Sequence, residues 1–190
     1  MRLILASGSP RRRELLDISG FEFDVIVSDA NENISANSPS ELVKKLSLSK
    51  ACAVKKGRTD CCVIGSDTVV VLDGEVIGKP KDAEDAFSIL QKLSGKTHLV
   101  YTGIAVISDN CEFADYDVTR VTFEKLTDNE IKAYIKTGEP MDKAGAYGIQ
   151  GPASLFVKSV EGNYFTIIGL PLPKLYKMLR RAGLKPKWMA

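Results

Sequence analysis

The chain has 190 residues, with 26 Lys and Arg against 24 Asp and Glu, a formal charge of +2. A balance this close to neutral offers no general attraction to nucleic acid or to an anionic membrane, so any anion must be held by a local cluster. No apolar run is long enough to cross a bilayer and the N-terminus lacks a secretory segment, which predicts a cytoplasmic protein with neither a membrane nor a nucleic-acid partner.

Leu3 to Ala6 is an apolar run that breaks at Ser7-Gly8. A helix then opens with Ser9 as N-cap and Pro10 in the first turn, and Arg11, Arg12 and Arg13 fill that turn. The partial positive charge of a helix N-terminus disfavours three guanidinium groups unless an anion sits against them. Backbone N–H groups, two hydroxyls and forked guanidinium donors at a strand-to-helix turn make a phosphate cradle. The alternative is arginines that point into water, a reading that fits Arg13, followed by Glu14, best.

Ser19-Gly20 stops this helix and Phe21 to Val27 reads as a strand, followed by a polar loop through Glu32. Ser38-Pro39-Ser40-Glu41 has the form of a capping box and opens a helix that runs toward Gly57. Cys62 to Ser66 reads as a short buried strand. Asp67-Thr68 follows, and Val69 to Leu72 pairs with Glu75 to Ile77 across the turn Asp73-Gly74. An acidic first turn at Asp82, Glu84 and Asp85 starts a helix that ends at Ser94-Gly95. Leu99 to Ile107 and Ala114 to Phe123 read as an antiparallel pair, and Thr127 with Glu130 forms a second capping box. After the glycine-rich segment Asp142 to Gly151, Leu155 to Val160 and Tyr164 to Ile168 read as a hairpin. Pro171 starts a last helix, and the tail from Lys185 to Trp188 is expected to fray. Alternation of strand and helix signals predicts a mixed α/β protein, with one domain over residues 1–190.

Cys52, Cys61, Cys62 and Cys111 lack the spacing of a redox or zinc site, and adjacent Cys61 and Cys62 lie in an apolar run where buried thiols are common. His98 is the single histidine. A histidine-based zinc site or a Ser-His-Asp triad would have to rest on it alone, which argues against both.

Four segments place a charged or polar residue at the end of an apolar element, beside glycine or proline. The first is the arginine turn. In the second, Gly65-Ser66-Asp67-Thr68, an aspartate interrupts an otherwise hydrophobic stretch from Val63 to Leu72. A carboxylate there is costly unless it is paired, bound to metal or used; the plain alternative is a strand-end aspartate bonded to backbone amides. The third is Gly78-Lys79-Pro80, whose lysine would otherwise be an ordinary turn residue. The fourth is Asp142 to Gly151, where Gly145, Gly148 and Gly151 permit close backbone approach to a ligand. Its spacing fits neither the Walker nor the dinucleotide pattern.

In sequence these segments resemble the Maf family, nucleoside triphosphate pyrophosphatases also called septum-formation inhibitors. The likeness runs from Leu5-Ala6-Ser7-Gly8-Ser9-Pro10-Arg11-Arg12 through Gly65-Ser66-Asp67-Thr68-Val69, Gly78-Lys79-Pro80, Leu93-Ser94-Gly95 and Asp142 to Gly151, as far as Gly169-Leu170-Pro171. The resemblance implies an elongated mixed sheet with flanking helices, two lobes around a deep groove, similar to inosine triphosphate pyrophosphatases. It also implies hydrolysis of a nucleoside triphosphate to the monophosphate and pyrophosphate.

Carried onto this chain, the resemblance makes Asp67 the proton acceptor that activates water for attack on the α-phosphorus. It makes Ser7, Arg11, Arg12, Lys50 and Lys79 phosphate-binding residues, whose charge would offset that of the triphosphate and the departing pyrophosphate. Glu32 matches an acidic position that would join Asp67 in holding a divalent cation, Mg²⁺ or alternatively Mn²⁺. Asn31 and Asn33 flank it where relatives are often more acidic, and an exposed loop glutamate is the alternative. Arg11, Thr68 and Gln150 match a base-selectivity switch in the form of the dTTP- and UTP-preferring branch, rather than the 7-methyl-GTP branch. The Gln150 amide offers a donor and an acceptor to a pyrimidine edge. Modified pyrimidine nucleotides are further candidate substrates, and family members are often homodimers. A second reading, from the family's other name, is a non-catalytic nucleotide-binding regulator of cell division.

Overall fold

Arg2–Leu5 forms strand β1, buried at three of its four positions, as expected of a parallel strand covered on both faces. Its neighbours are β2 (Asp24–Val25) and β3 (Cys61–Leu72), both parallel to it, with Ile4 opposite Asp24 and Val63. Strands β4 (Glu75–Ile77), β5 (Thr97–Ile107), β6 (Glu112–Phe123) and β7 (Val157–Glu161) complete a seven-stranded sheet in the order β2-β1-β3-β5-β6-β7, with β4 on β3. The β3–β4 and β6–β7 pairs are antiparallel. The helices are α1 (Pro10–Ile18), α2 (Pro39–Lys55), α3 (Ala83–Leu93), α4 (Asp128–Ile135), α5 (Tyr164–Ile168) and α6 (Leu172–Arg181). The mixed α/β architecture expected from the sequence is therefore the one present. These features come from a computed structural model that describes residues 1–189.

Two compact units make up the chain. One holds Met1–Asp67, Thr102–Asp117 and the segment from Gly169 onward; the other holds Thr68–Tyr101 and Val118–Ile168. In the first, Ile4, Ala6, Val63 and Ala105 pack with Ala51 and Val54 of α2. Close approach of that helix to the sheet depends on two glycines. A Cβ on Gly65 would fall 2.0 Å from the carbonyl oxygen of Ser47, and one on Gly103 would fall 2.0 Å from that of Val43. Only glycine leaves room for this contact. The second unit is organised around an aromatic cluster in which Phe123, Tyr147, Phe156, Tyr134 and His98 meet edge to face.

The helix starts follow their sequence signals. Ser9 and Ser38 accept from the amides of Arg12 and Glu41, while Thr127 and Glu130 close a full reciprocal capping box. At Ser38 the box is incomplete, because the Glu41 carboxylate turns to the Asn37 amide instead.

Four expectations are corrected. The strand expected over Phe21 to Val27 is reduced to Asp24–Val25, since both residues are exposed and only a short edge pairing forms. Asp67-Thr68 does not break the strand; β3 runs through it to Leu72. Tyr164–Ile168 is helix rather than the second arm of a hairpin. Gly162, at φ 125°, packs against Thr119, and the Asn163 side chain accepts from the Phe165 amide at 3.1 Å, so a cap turns the chain into a helix. The tail does not fray either. Lys187–Met189 is a 3₁₀ turn in which Trp188 Nε1 donates to the Ser19 carbonyl at 3.1 Å and the Lys187 amide to that of Gly20 at 2.8 Å.

Candidate functional site

In the first unit, Asp67 follows six buried positions of β3, Cys61 to Ser66, at the point where the strand becomes half-buried. Seating of α2 on Gly65 sets Lys50, one turn beyond Ser47, alongside it. The Lys50 Nζ lies 2.6 Å from Asp67 Oδ1 and 2.8 Å from Glu32 Oε1. Lys50 and Asp67 side chains are only 13% and 14% exposed, whereas Glu32 is 66% exposed. The aspartate is thus paired with a cation, which resolves the cost of a carboxylate in an apolar strand.

The turn between β1 and α1 supplies the guanidinium groups. Ser7, itself buried, receives the Ser9 amide at 3.2 Å and Arg12 Nη1 at 3.3 Å. Arg12 Nε donates to the Gly169 carbonyl at 2.8 Å. Its pKa is lowered by burial, an effect that Asp67 opposes, neighbouring Arg11 adds to and Glu32 opposes. Arg11 and Arg12 are half-buried and Arg13 is exposed, which matches the split expected of the three. Ser7, Arg12, Glu32, Lys50 and Asp67 therefore belong to one charged cluster of the first unit.

Thr68, Lys79 and Gln150 belong to the second unit. The Gly145 amide donates to the Gly78 carbonyl at 3.0 Å, so the turn that carries Lys79 is tied to the glycine-rich segment. Gly145 adopts φ 70°, and a Cβ there would lie 2.8 Å from Val70 Cγ2, which requires glycine on both counts. Beyond it, the Tyr134 hydroxyl accepts from the Gly148 amide at 3.2 Å. Lys143 Nζ donates to the Glu139 carbonyl and to Asp142 Oδ1, both at 2.6 Å. A Cβ on Gly151 would sit 1.9 Å from Glu139 Oε1. Glycines on either side of Ile149-Gln150 thus let this segment lie against Glu139 and Lys143, leaving Gln150 and Lys79 exposed.

The thiols stay outside this chemistry. Cys61 and Cys62 are buried, and burial pushes Cys62 up to about 12, far from a reactive thiolate. His98 is buried and bonded through Nε2 to the Tyr147 hydroxyl at 2.8 Å. Among the described residues, no three His, Cys, Asp or Glu side chains come together as a metal-holding group, and no helix is long and apolar enough to cross a membrane. Sequence reasoning assigned no role to Ser66, Gly169 or Glu139. Their only signals are a serine within an apolar strand, a glycine before Leu170-Pro171 and an acid ahead of a glycine-rich run.

A family model described as Maf-like protein matches residues 2–182. The dTTP/UTP pyrophosphatase of Bacillus pumilus (strain SAFR-032) is 50% identical over 186 residues, 97% of this chain and 98% of that one. The dTTP/UTP pyrophosphatase of Bacillus anthracis is 48% identical over 184 residues, 96% of each chain. The solved structure of the Staphylococcus aureus Ham1 protein aligns with a TM-score of 0.48 and 16% identity over 65% of this chain and 72% of that one.

Proposed function

This chain belongs to the Maf-like protein family, and from that premise we propose that it is a nucleoside triphosphate pyrophosphatase that hydrolyses dTTP and UTP to the monophosphate and pyrophosphate. The observation that carries the reading is near-full-length identity of about half to relatives named for that activity. A buried-strand aspartate clustered with Arg12 and Lys50 supports it, because triphosphate hydrolysis needs both an acceptor for a water proton and cations for the phosphates.

In this reading Asp67 accepts the proton of the water that attacks the α-phosphorus. Lys50 grips Oδ1 of that carboxylate at 2.6 Å, so Oδ2 is the oxygen assigned to the proton. Ser7, Arg11, Arg12 and Lys50 bind phosphate oxygens and offset the charge that grows on the leaving pyrophosphate. Within the second unit, the family resemblance assigns Lys79 to phosphate and Thr68 and Gln150 to the base. Gln150 discriminates because a mismatched base edge would leave its amide unpaired.

Glu32 and Asp67 face each other across the Lys50 ammonium, so a metal ion held by both would need Lys50 to swing away from Asp67 Oδ1 onto the phosphate oxygens. Two hard carboxylate oxygens, completed by phosphate oxygens and water, suit Mg²⁺ or Mn²⁺. These two acids are the proposed ligands of a divalent cation, which when bound would polarise the phosphoryl oxygens.

Incubation of the full chain with dTTP, UTP and 7-methyl-GTP in the presence of Mg²⁺, with pyrophosphate as the readout, tests the reading. Release from dTTP and UTP well above that from 7-methyl-GTP is the expected result. Absence of release from all three would overturn it in favour of a non-catalytic nucleotide-binding regulator.

A further inference from the structure

Ser66 is completely buried, and its hydroxyl donates to the carbonyls of Gly103, at 2.9 Å, and Gly169, at 2.8 Å. One hydroxyl has one proton, so these two carbonyls share it, whereas a carbonyl oxygen has two lone pairs and can take two donors at once. Gly169 does so. Its second donor is Arg12 Nε, also at 2.8 Å, a charge-assisted bond stronger than that between neutral groups. At φ 110°, Gly169 lies in the left-handed half of backbone space, where glycine is favoured.

The chain of contacts that results links two parts of the charged cluster. Asp67 follows Ser66 on β3, and successive side chains of a strand point to opposite faces. The serine is therefore directed into the core while the acid beside it reaches Lys50. Through Gly169, the same serine bears on the guanidinium of Arg12, whose Nη1 is held by Ser7 Oγ at 3.3 Å. A guanidinium gripped at both Nε and Nη1 has its plane fixed, and planar donors lose affinity for phosphate when that plane is free to turn.

We infer that Ser66 and Gly169 are positioning residues: the serine hydroxyl holds the Gly169 carbonyl against Arg12 Nε and so fixes the phosphate-binding guanidinium relative to Asp67. The inference rests on the phosphate role proposed above for Arg12. Neither residue touches substrate, so their effect passes through Arg12 alone.

The test is a double-mutant cycle on the full chain, with calorimetric affinity for inorganic tripolyphosphate as its first readout and thermal melting as a check on folding. Ser66→Ala weakens binding about tenfold in the parent background, the loss typical of a support for a charged donor. Lysine has no Nε to meet Gly169, so in an Arg12→Lys background the same change costs less than twofold. A general packing defect would weaken both backgrounds alike. Equal losses in both, or a change under twofold in the parent background, would overturn the inference. Should Ser66→Ala not fold, Ser66→Cys, similar in size and a weaker donor, runs the same cycle. Pyrophosphate release from dTTP is followed on the same samples. A parent that binds tripolyphosphate but releases no pyrophosphate refutes the proposed reaction and leaves the cycle to decide the anchor; a parent that binds none refutes both.

Discussion

The ammonium of Lys50 lies 2.6 Å from Asp67 Oδ1 and 2.8 Å from Glu32 Oε1, so one cation bridges two acids that are distant in sequence. Breaking a largely buried pair by deletion of one partner leaves an uncompensated charge. Here it also leaves two carboxylates facing each other.

Lys50→Met is accordingly expected to lower stability by about 3 kcal/mol and the melting temperature by about 9 °C. A divalent cation can then fill the place between the acids, so millimolar Mg²⁺ or Mn²⁺ should raise the melting temperature of the variant more than that of the parent. Thermal melts of both proteins with and without the ion measure this. Equal responses would contradict the assignment of Glu32 and Asp67 as metal ligands.

Asp67→Asn retains the shape of the side chain and removes its capacity to accept a proton. Turnover of dTTP should fall by about 10²- to 10⁴-fold, the usual contribution of a general base, while tripolyphosphate binding stays within a few-fold of the parent. Single-turnover pyrophosphate release and calorimetry separate the two quantities. Comparable rates in variant and parent would remove Asp67 from the proposed role.

Asp67 was legible because it interrupts an apolar run, and the arginine turn because its charge opposes the helix dipole. Lys50 carried no such local sign. It occupies an ordinary position in α2, and what places it beside Asp67 is the bare surface of Gly65 against the Ser47 carbonyl, a packing fact that periodicity does not encode. Ser66 was hidden for a similar reason, since a serine in an apolar strand reveals neither of its carbonyl partners. Tyr164 to Ile168 misled in the opposite direction: aromatic and β-branched residues read as strand, but the Asn163 cap and the turn at Gly162 decide for helix.

Gln150→Glu exchanges an amide donor for a carboxylate acceptor in the segment bracketed by Gly148 and Gly151. The ratio of kcat/KM for dTTP to that for 7-methyl-GTP should fall by about tenfold or more, as expected when a polar group that reads a base edge is mismatched. Steady-state kinetics with both nucleotides give the ratio. An unchanged ratio would exclude Gln150 as a base reader.

His98 predicts how stability depends on pH. It is almost fully buried, its Nε2 is bonded to the Tyr147 hydroxyl at 2.8 Å, and its Nδ1 has no hydrogen-bond partner. An imidazolium would require acceptors for two N–H groups in a place that is largely apolar, and burial lowers the pKa to about 4 from an ordinary 6.5. Between those values the unfolded chain binds the proton and the folded one does not, so stability rises with pH across the window. The contribution is fully present above pH 6.5 and is lost as pH falls toward 4, a change of about 3 kcal/mol at most. Asp109 and Glu130, whose pKa values are lowered by hydrogen bonds to Lys55 and Thr127, lose their contributions below the ordinary carboxylate range, at the acid edge of this window. Denaturant titrations at pH 7, 6, 5 and 4.5 should therefore show a loss that begins near pH 6.5. Because the chain has one histidine, its ring resonance can be followed without ambiguity, and titration of that resonance near 6.5 in the folded protein would refute the account.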